Sequence, residues 1–410
     1  MTRTAVVGAG IVGICCAIAL ADQGHKVTLI DKGEPGQQTS RWNAGVLATS
    51  SVIPLNNPGL FANLPRLLTG RHPGFHLNMA AGWTLLPWAA LFLNNSRAVR
   101  SDRSVAALTA LITASRHDHE RLCARSRYDG LEQNGWLMLY RGEAGAARAA
   151  AQQQVLAARD VEAKALPVSQ LAELEPHLKP DFSGVLHVTQ SAHTDPSALF
   201  AAYLALATSL GITLVRNDIG RVSTSQGSLA LGGSSGDLGT FDHVVLTLGP
   251  WSNDILRELG CPLPMAIERG YLQVFDSAAP LNRPIFDVDG GYVAAARPAG
   301  IQISTGTELT RLDIAPNRQR MNAPLRMART ALSLGAPRAD EVIVGNRPSL
   351  PDSLPVIGAV RAVPGLWIAT GHQHVGFSTS AGTASLLASL MNDQMPTIDP
   401  KPFSPSRFGL

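Results

Sequence analysis

Hydrophobic runs alternate with glycine turns from the start of the chain. Ala5-Val6-Val7 predicts a short strand, Gly8-Ala9-Gly10-Ile11-Val12-Gly13 a turn, and Ile14 to Asp22 a helix that stops near Gly24. A second strand, Lys26 to Ile30, ends in Asp31. Helical spacing follows over Ser101 to Arg125, a strand over Gly135 to Arg141, and an Ala-rich helix over Gly142 to Val161. His193-Thr194-Asp195-Pro196 leads into a further helix, Ser197 to Leu210, with Asp195 or Ser197 as its cap and Gly211 closing it. Strand Ile212 to Val215 and a hairpin-like stretch, Arg221 to Leu231, precede Asp242 to Leu248, whose unbroken apolar run suits a buried parallel strand. Alternation then marks Gly270 to Phe275, Gly291 to Ala296 and Ile301 to Gly306 as an antiparallel layer. The last block repeats the first pattern: strand Leu366 to Ala369, a glycine turn, and helix Thr379 to Met391. The order predicts an α/β fold in which a Rossmann-type sheet is interleaved with an α+β domain carrying an antiparallel sheet.

Composition narrows the function. At roughly 150 residues per domain, 410 residues make two to three domains. Charged residues are 16%, the net charge is +3, and no block of like charges occurs, so neither disorder nor a nucleic-acid partner is indicated. The four cysteines, Cys15, Cys16, Cys123 and Cys261, lack C-x-x-C spacing; they imply no metal site, cysteine-ligated cluster or disulfide framework, and suit a reducing cytosol. Ala5 to Ala21 imitates a signal peptide, but its spaced glycines serve no such purpose. Met79 to Leu93 is interrupted by Pro87 and falls short of the ~20 residues that span a bilayer. A buried helix pair is expected there, with an interfacial patch of Trp83, Trp88 and Phe92 as the alternative. The cluster Arg116-His117-Asp118-His119-Glu120 has no i, i+4 His pair and is expected to be a solvated helix face rather than a metal box.

The first motif carries chemistry. Strand, G-x-G-x-x-G and helix form a dinucleotide fingerprint: Gly8 makes the tight turn, Gly10 lets backbone approach a pyrophosphate, with Ile11 and Val12 at the helix entrance, and Gly13 lets the helix pack on the strand. Asp31 lies 18 residues after Gly13 and is placed to accept the adenosine ribose hydroxyls, which disfavours a 2′-phosphate and leaves NAD or FAD. Lys32 follows it. Gly36, Thr39, Ser40, Asn43, Ala44 and Gly45 then form a small polar loop where an NAD fold would turn directly into another helix.

Four separated motifs resemble the FAD-dependent D-amino-acid dehydrogenase and glycine oxidase family, across essentially the whole chain. They are V-V-G-A-G-I-V-G at Val6 to Gly13, S-R-W-N-A-G at Ser40 to Gly45, L-T-L-G-P-W-S at Leu246 to Ser252, and R-P-S-L-P-D-S-L-P-V-I-G at Arg347 to Gly358 with G-H-Q-H-V-G-F at Gly371 to Phe377. R-G-Y at Arg269 to Tyr271 and G-Y-V-A-A-A-R at Gly291 to Arg297 are most similar to the dehydrogenase branch. The resemblance implies an FAD-binding domain over residues 1–75, 185–262 and 345–410, and a substrate domain over 76–184 and 263–344. It implies FAD contacts from Thr39, Ser40, Asn43, Ala44, Gly45, Ile219, Gly249 and Trp251, and from Gly371, His372, Val375 and Gly376 at the last helix. It also implies that Arg347 grips the substrate carboxylate while Tyr271 and Tyr292 orient it.

Two departures from the family are informative. Glycine oxidase carries a second arginine in the loop after G-H, where this chain has His374; an imidazole there suits a hydroxylated or cyclic substrate such as D-hydroxyproline or D-proline. Covalent relatives attach flavin through a His beside the N-terminal A-G segment or a Cys in the last third; Asn43 fills the first place and no cysteine follows Cys261, so non-covalent FAD is expected. The implied reaction is hydride transfer from a D-amino or imino acid to flavin, with electrons passed to a quinone, a dye, dioxygen or a partner subunit. An iron–sulfur partner chain, and a cytoplasmic location at most peripheral to the membrane, complete the expectation.

Overall fold

The computed structural model describes residues 1–61, 74–179, 181–225, 227–234, 236–298, 300–339 and 341–410. Residues 62–73 of the first expected FAD stretch lie outside that set. The strands that frame the site are, in chain order, β1 (Arg3–Val7), β2 (Lys26–Asp31), β3 (Thr213–Arg216), β4 (His243–Leu246), β5 (Ala266–Phe275), β6 (Tyr292–Arg297), β7 (Ile343–Ser349), β8 (Val356–Ala359) and β9 (Leu366–Thr370). The helices are α1 (Ile11–Asp22), α2 (Gly82–Asn95), α3 (Ala98–Arg125), α4 (Pro196–Ser209) and α5 (Gly376–Met391).

A six-stranded sheet runs β8-β9-β4-β1-β2-β3. All its pairings are parallel except β8 with β9. β1, β4 and β9 come from far-apart parts of the chain, and the register Val6↔Val245 and Val245↔Trp367 sews them together. The apolar β-branched runs supply this sheet because both of its faces are covered. Its one side buries α1, α4 and α5 in a core that includes Ile14, Ile18, Leu199, Tyr203 and Leu387. A three-stranded antiparallel hairpin sheet over Ile219–Phe241 closes the other side.

A ten-stranded mixed sheet forms the second layer, in which β5, third from one end, is flanked by Thr307–Thr310 and Gly300–Thr305 and paired also to β7. The domain borders expected at 185 and 345 fall inside Gly184–Val188 and β7, both hydrogen-bonded into this large sheet. A strand belongs with the sheet that pairs it, and linear motif order did not show that pairing.

Two surface expectations change. His119 is fully buried and Asp118 nearly so, although His117 points outward. The reason is the small face of α5: a Cβ on Gly382 would sit 2.9 Å from the Leu111 carbonyl oxygen, so α3 lies close enough to lose one face to it. Asp118 accepts from Ser385 at 2.6 Å, while His119 meets Tyr203 at 2.9 Å and the Phe377 carbonyl at 3.1 Å. The 79–93 stretch divides rather than burying whole: Trp88 is buried and stacks on Phe92 at 4.7 Å, whereas Trp83 is 88% exposed. No helix among the described residues is long and apolar enough to cross a membrane.

Candidate active site

The fingerprint forms as its spacing dictates. Gly8 adopts φ +109°, a region closed to side-chain-bearing residues without strain, and a Cβ there would strike the Thr247 backbone at 2.7 Å. A Cβ on Gly13 would sit 1.8 Å from the Gly8 carbonyl oxygen, so α1 meets β1 only through glycine. Ser40 Oγ accepts the Ile11 N–H at 3.0 Å and thereby caps the entrance of α1. Asp31 accepts the Ala9 N–H at 2.7 Å and the Gly33 N–H at 3.0 Å, leaving one lone pair on each oxygen for a ribose.

Around this turn lies a cleft of about 780 Å³ lined by Gly8, Gly10, Asp31, Lys32, Ile219, Gly249 and Trp251, among others. The Lys32 ammonium stands 5.2 Å over the Trp251 ring and so bridges the two walls. A second cavity of about 460 Å³ shares Gly10, Thr39, Ser40, Thr247, Gly249 and Pro250 with the first, and the two form one elongated groove. Ile11, Val12, Asn43 and Ala44 line the second part on one side, and His372, His374 and Gly376 at the start of α5 line it on another. An extended dinucleotide fits such a groove: small residues on its floor, a helix N-terminus at its middle and a carboxylate at its far end.

Glycine and valine positions expected at this groove divide between lining and support. Gly45, at φ +77°, is pressed against the Thr194 carbonyl oxygen. Gly371 faces Leu350, and Val375 is a core residue. All three shape the loops rather than line the cavity. His372 is buried against Thr383 at 3.1 Å, and burial drives its pKa down to about 3, so it stays neutral.

Arg347, on β7, faces the second cavity opposite the helix entrance. Its guanidinium makes no hydrogen bond or close ion pair with any described residue. Burial pulls its pKa below 12.5, against the attraction of Glu268. A guanidinium with free donors in a cavity wall is built to accept a planar anion. Its cross-strand partner is Glu268 on β5, which is buried; Oε1 accepts from Ser349 at 2.7 Å and Oε2 lies 3.6 Å from Nδ1 of His374.

The tyrosines do not serve as expected. Tyr271 lines the cavity, but its hydroxyl donates to the Glu308 carboxylate and accepts the Asn317 N–H at 3.0 Å. Burial and then Glu308 push its pKa up to about 12. Its ring forms wall; its phenol is already committed. Tyr292 lies in the core beneath the sheet beside Asp287 and Arg141, and its pKa is pushed up by that burial and then by Asp287. Strand alternation is the reason, since Val293, its neighbour, faces the cavity.

Sequence inspection missed Glu268, Asn346 and Gln373. The signal for Glu268 was present: Glu268-Arg269 interrupts the run Ala266–Phe275, in which nearly every residue is buried. Arg269 donates from Nε to Asn346 and from Nη2 to the carbonyls of Arg311 and Ile314, while Glu268 bonds Ser349 and stands beside His374. Thr39 donates to the Asn346 carbonyl at 2.8 Å, tying the polar loop to the strand that carries Arg347. Among the described residues no group of acids, histidines and cysteines is arranged to hold a metal ion.

A groove of a size for an extended dinucleotide opens onto a cavity with an unpaired guanidinium in its wall. The chain belongs to the FAD dependent oxidoreductase family, whose pattern it matches over residues 3–390. It is 32% identical to a D-amino-acid oxidase of Bradyrhizobium diazoefficiens over 99% of both chains. It is 28% identical to a D-amino acid dehydrogenase of Chromohalobacter salexigens over 98% of this chain and 99% of that one. Its fold matches glycine oxidase from Geobacillus kaustophilus with a TM-score of 0.74 at 20% identity, covering 99% of each chain. It is therefore an FAD-dependent oxidoreductase of the D-amino-acid oxidase and dehydrogenase type.

Proposed function

We propose that this enzyme oxidises the Cα–N bond of a D-amino acid or cyclic imino acid, with D-proline and D-hydroxyproline as leading candidates. The observation that carries this is the unpaired guanidinium of Arg347 in the wall of the second cavity. The guanidinium binds the carboxylate through two parallel charge-assisted bonds and so fixes the Cα–N bond in one orientation. FAD, when bound, accepts the hydride. The chain's own residues hold the dinucleotide along Asp31, Gly10 and Ser40, and exclude water from the substrate with Trp136, Tyr271 and Phe286. The FAD-holding part comprises the described residues of 1–75, 185–262 and 345–410, less the three strands, Phe75–Leu77, Gly184–Val188 and β7, that pair into the large sheet; the other described residues form the substrate side.

Non-covalent attachment is supported by Asn43 in the cavity wall and by four cysteines that are all buried, none of them lining the groove. Acid precipitation should release the yellow colour into the supernatant. The exposed apolar face of α2, with Trp83, Leu86 and Leu91 outward, supports a peripheral membrane contact.

The deciding experiment is an anaerobic panel of D-amino acids, D-proline and D-hydroxyprolines, following loss of the flavin band near ~450 nm. Bleaching by at least one of these, and not by its L-enantiomer, is the expected result. A panel that leaves the flavin oxidised refutes the proposal. The relative named D-amino-acid oxidase favours a second reading, direct use of dioxygen, which peroxide formation in air would reveal.

A further inference from the structure

Glu268 is a buried carboxylate for which dinucleotide binding has no use. It is 2% exposed, and Oε2 has no hydrogen-bond partner. A charge in such a place is costly unless a cation compensates it. Two groups face it: Arg347, its cross-strand neighbour on β7, and His374, whose Nδ1 stands 3.6 Å from Oε2. The two imidazole nitrogens lie on divergent edges of the ring, so an Nδ1 turned toward Glu268 leaves Nε2 turned away from it. Nε2 has no partner among the described residues, and His374 lines the cavity with a third of its side chain exposed. This is the arrangement in which a carboxylate holds one edge of an imidazole and the other edge is free to take a proton.

We propose that Glu268 and His374 form a carboxylate–imidazole pair that accepts the proton of the substrate ammonium group before the Cα–N bond is oxidised. This rests on the amino-acid reading above. The ammonium N–H bond breaks, its electron pair stays on nitrogen, and the proton bonds to Nε2. The resulting free amine is the form from which a hydride can leave Cα. The imidazolium is stabilised by Glu268 and passes its proton to water through the exposed part of the ring. His374 touches substrate; Glu268 is a positioning residue. The 3.6 Å separation tightens to a hydrogen bond as the charge develops, as such contacts do on substrate binding.

The charged group beside the pair is Arg347 on β7, opposite Glu268 and lining the same cavity as His374, while His372 on the loop of His374 stays neutral.

The test is kcat/KM of the best substrate from the panel, measured from about pH 7 to about pH 10 for the wild type, His374→Asn and Glu268→Gln. At pH 7 His374→Asn should lose ~10²-fold and Glu268→Gln ~10-fold, in line with removal of a general base and of its orienting group. Near pH 10, where a far larger share of the substrate is already free amine in solution, both deficits should shrink to about threefold or less. Deficits that stay constant with pH, or no deficit, overturn the proposal. Propionate, a carboxylate without an amine, reads Arg347 alone; its affinity should change less than about twofold in His374→Asn, and a larger loss would also overturn it. Glu268→Gln decides the matter if His374→Asn fails to retain FAD. A wild type that oxidises no member of the panel at any pH refutes the functional reading instead.

Discussion

Gly270 lies beneath the guanidinium of Arg347: a Cβ at Gly270 would stand 2.6 Å from Nη2 and 3.0 Å from Cζ. The two residues sit diagonally across the β5–β7 pairing, with Gly270 opposite Gly345 and Arg347 opposite Glu268. The absence of a side chain is what lets the guanidinium lie flat on the sheet and aim its donors into the cavity.

Gly270→Ala should displace that guanidinium while leaving the dinucleotide groove intact. We expect KM for the oxidised amino acid to rise about tenfold with FAD content unchanged, and Arg347→Ala to raise it at least as much, since a charge-assisted pair is worth about 1.5–3 kcal/mol. Steady-state kinetics beside a flavin absorbance spectrum would read both. If Arg347→Ala moved KM less than about threefold, the carboxylate would be held elsewhere.

Lys32 and Trp251 bridge the Asp31 end of the groove at 5.2 Å. A cation–π contact of about 0.5–1 kcal/mol implies that Lys32→Ala weakens FAD about two- to fivefold. Trp251→Ala should weaken it more, because the wall itself is removed. Fluorescence titration of the apoprotein with FAD measures each, and equal affinities in all three proteins would show that the contact forms no part of the binding site.

Gly13→Ala tests the fingerprint by packing alone. Its Cβ would meet the Gly8 carbonyl oxygen at 1.8 Å, and backbone cannot step aside there as a flexible side chain would. The variant should lose FAD and unfold several degrees lower, the effect of a cost of the order of 1–3 kcal/mol. A thermal melt identical to that of the wild type would contradict this packing.

Acid should weaken the fold through buried histidines. Burial lowers the pKa of His119 to about 4, of His193 to about 4 and of His372 to about 3. In the unfolded chain each takes up a proton near pH 6.5, whereas the folded chain refuses it until far lower. Between pH 6.5 and 4 the unfolded state therefore binds more protons, and stability falls as pH drops, by about 1–3 kcal/mol for His119. Glu175 works in the opposite sense: burial raises its pKa to about 7, so its contribution is present at low pH and is lost as pH rises through 7. Three groups against one should make the urea midpoint lower at pH 4.5 than at pH 7. A midpoint that rises on acidification would mean that these histidines are solvated.

Local rules reached as far as local causes act. Gly8, Gly10, Gly13 and Asp31 fall within one strand–turn–helix–strand unit, and the structure closes that unit as their spacing requires. Tyr292 shows the opposite case. Its membership of β6 was readable, but which face it presents depends on the sheet's packing against Leu137, Phe275 and Ile303, and that put it in the core. His119 likewise looked solvated in a charged stretch, until α5 proved small enough to bury it.

By itself the order of residues determined the dinucleotide fold and the alternation of its two sheets, and it singled out Arg347, because each depends on a period or a short motif. The tertiary structure decided that the Tyr271 hydroxyl is bound to Glu308, that Tyr292 packs in the core, and that Glu268 stands between Arg347 and His374. Glu268 and His374 are more than a hundred residues apart, and only the pairing of β5 with β7 beside the entrance of α5 brings a buried carboxylate against an imidazole.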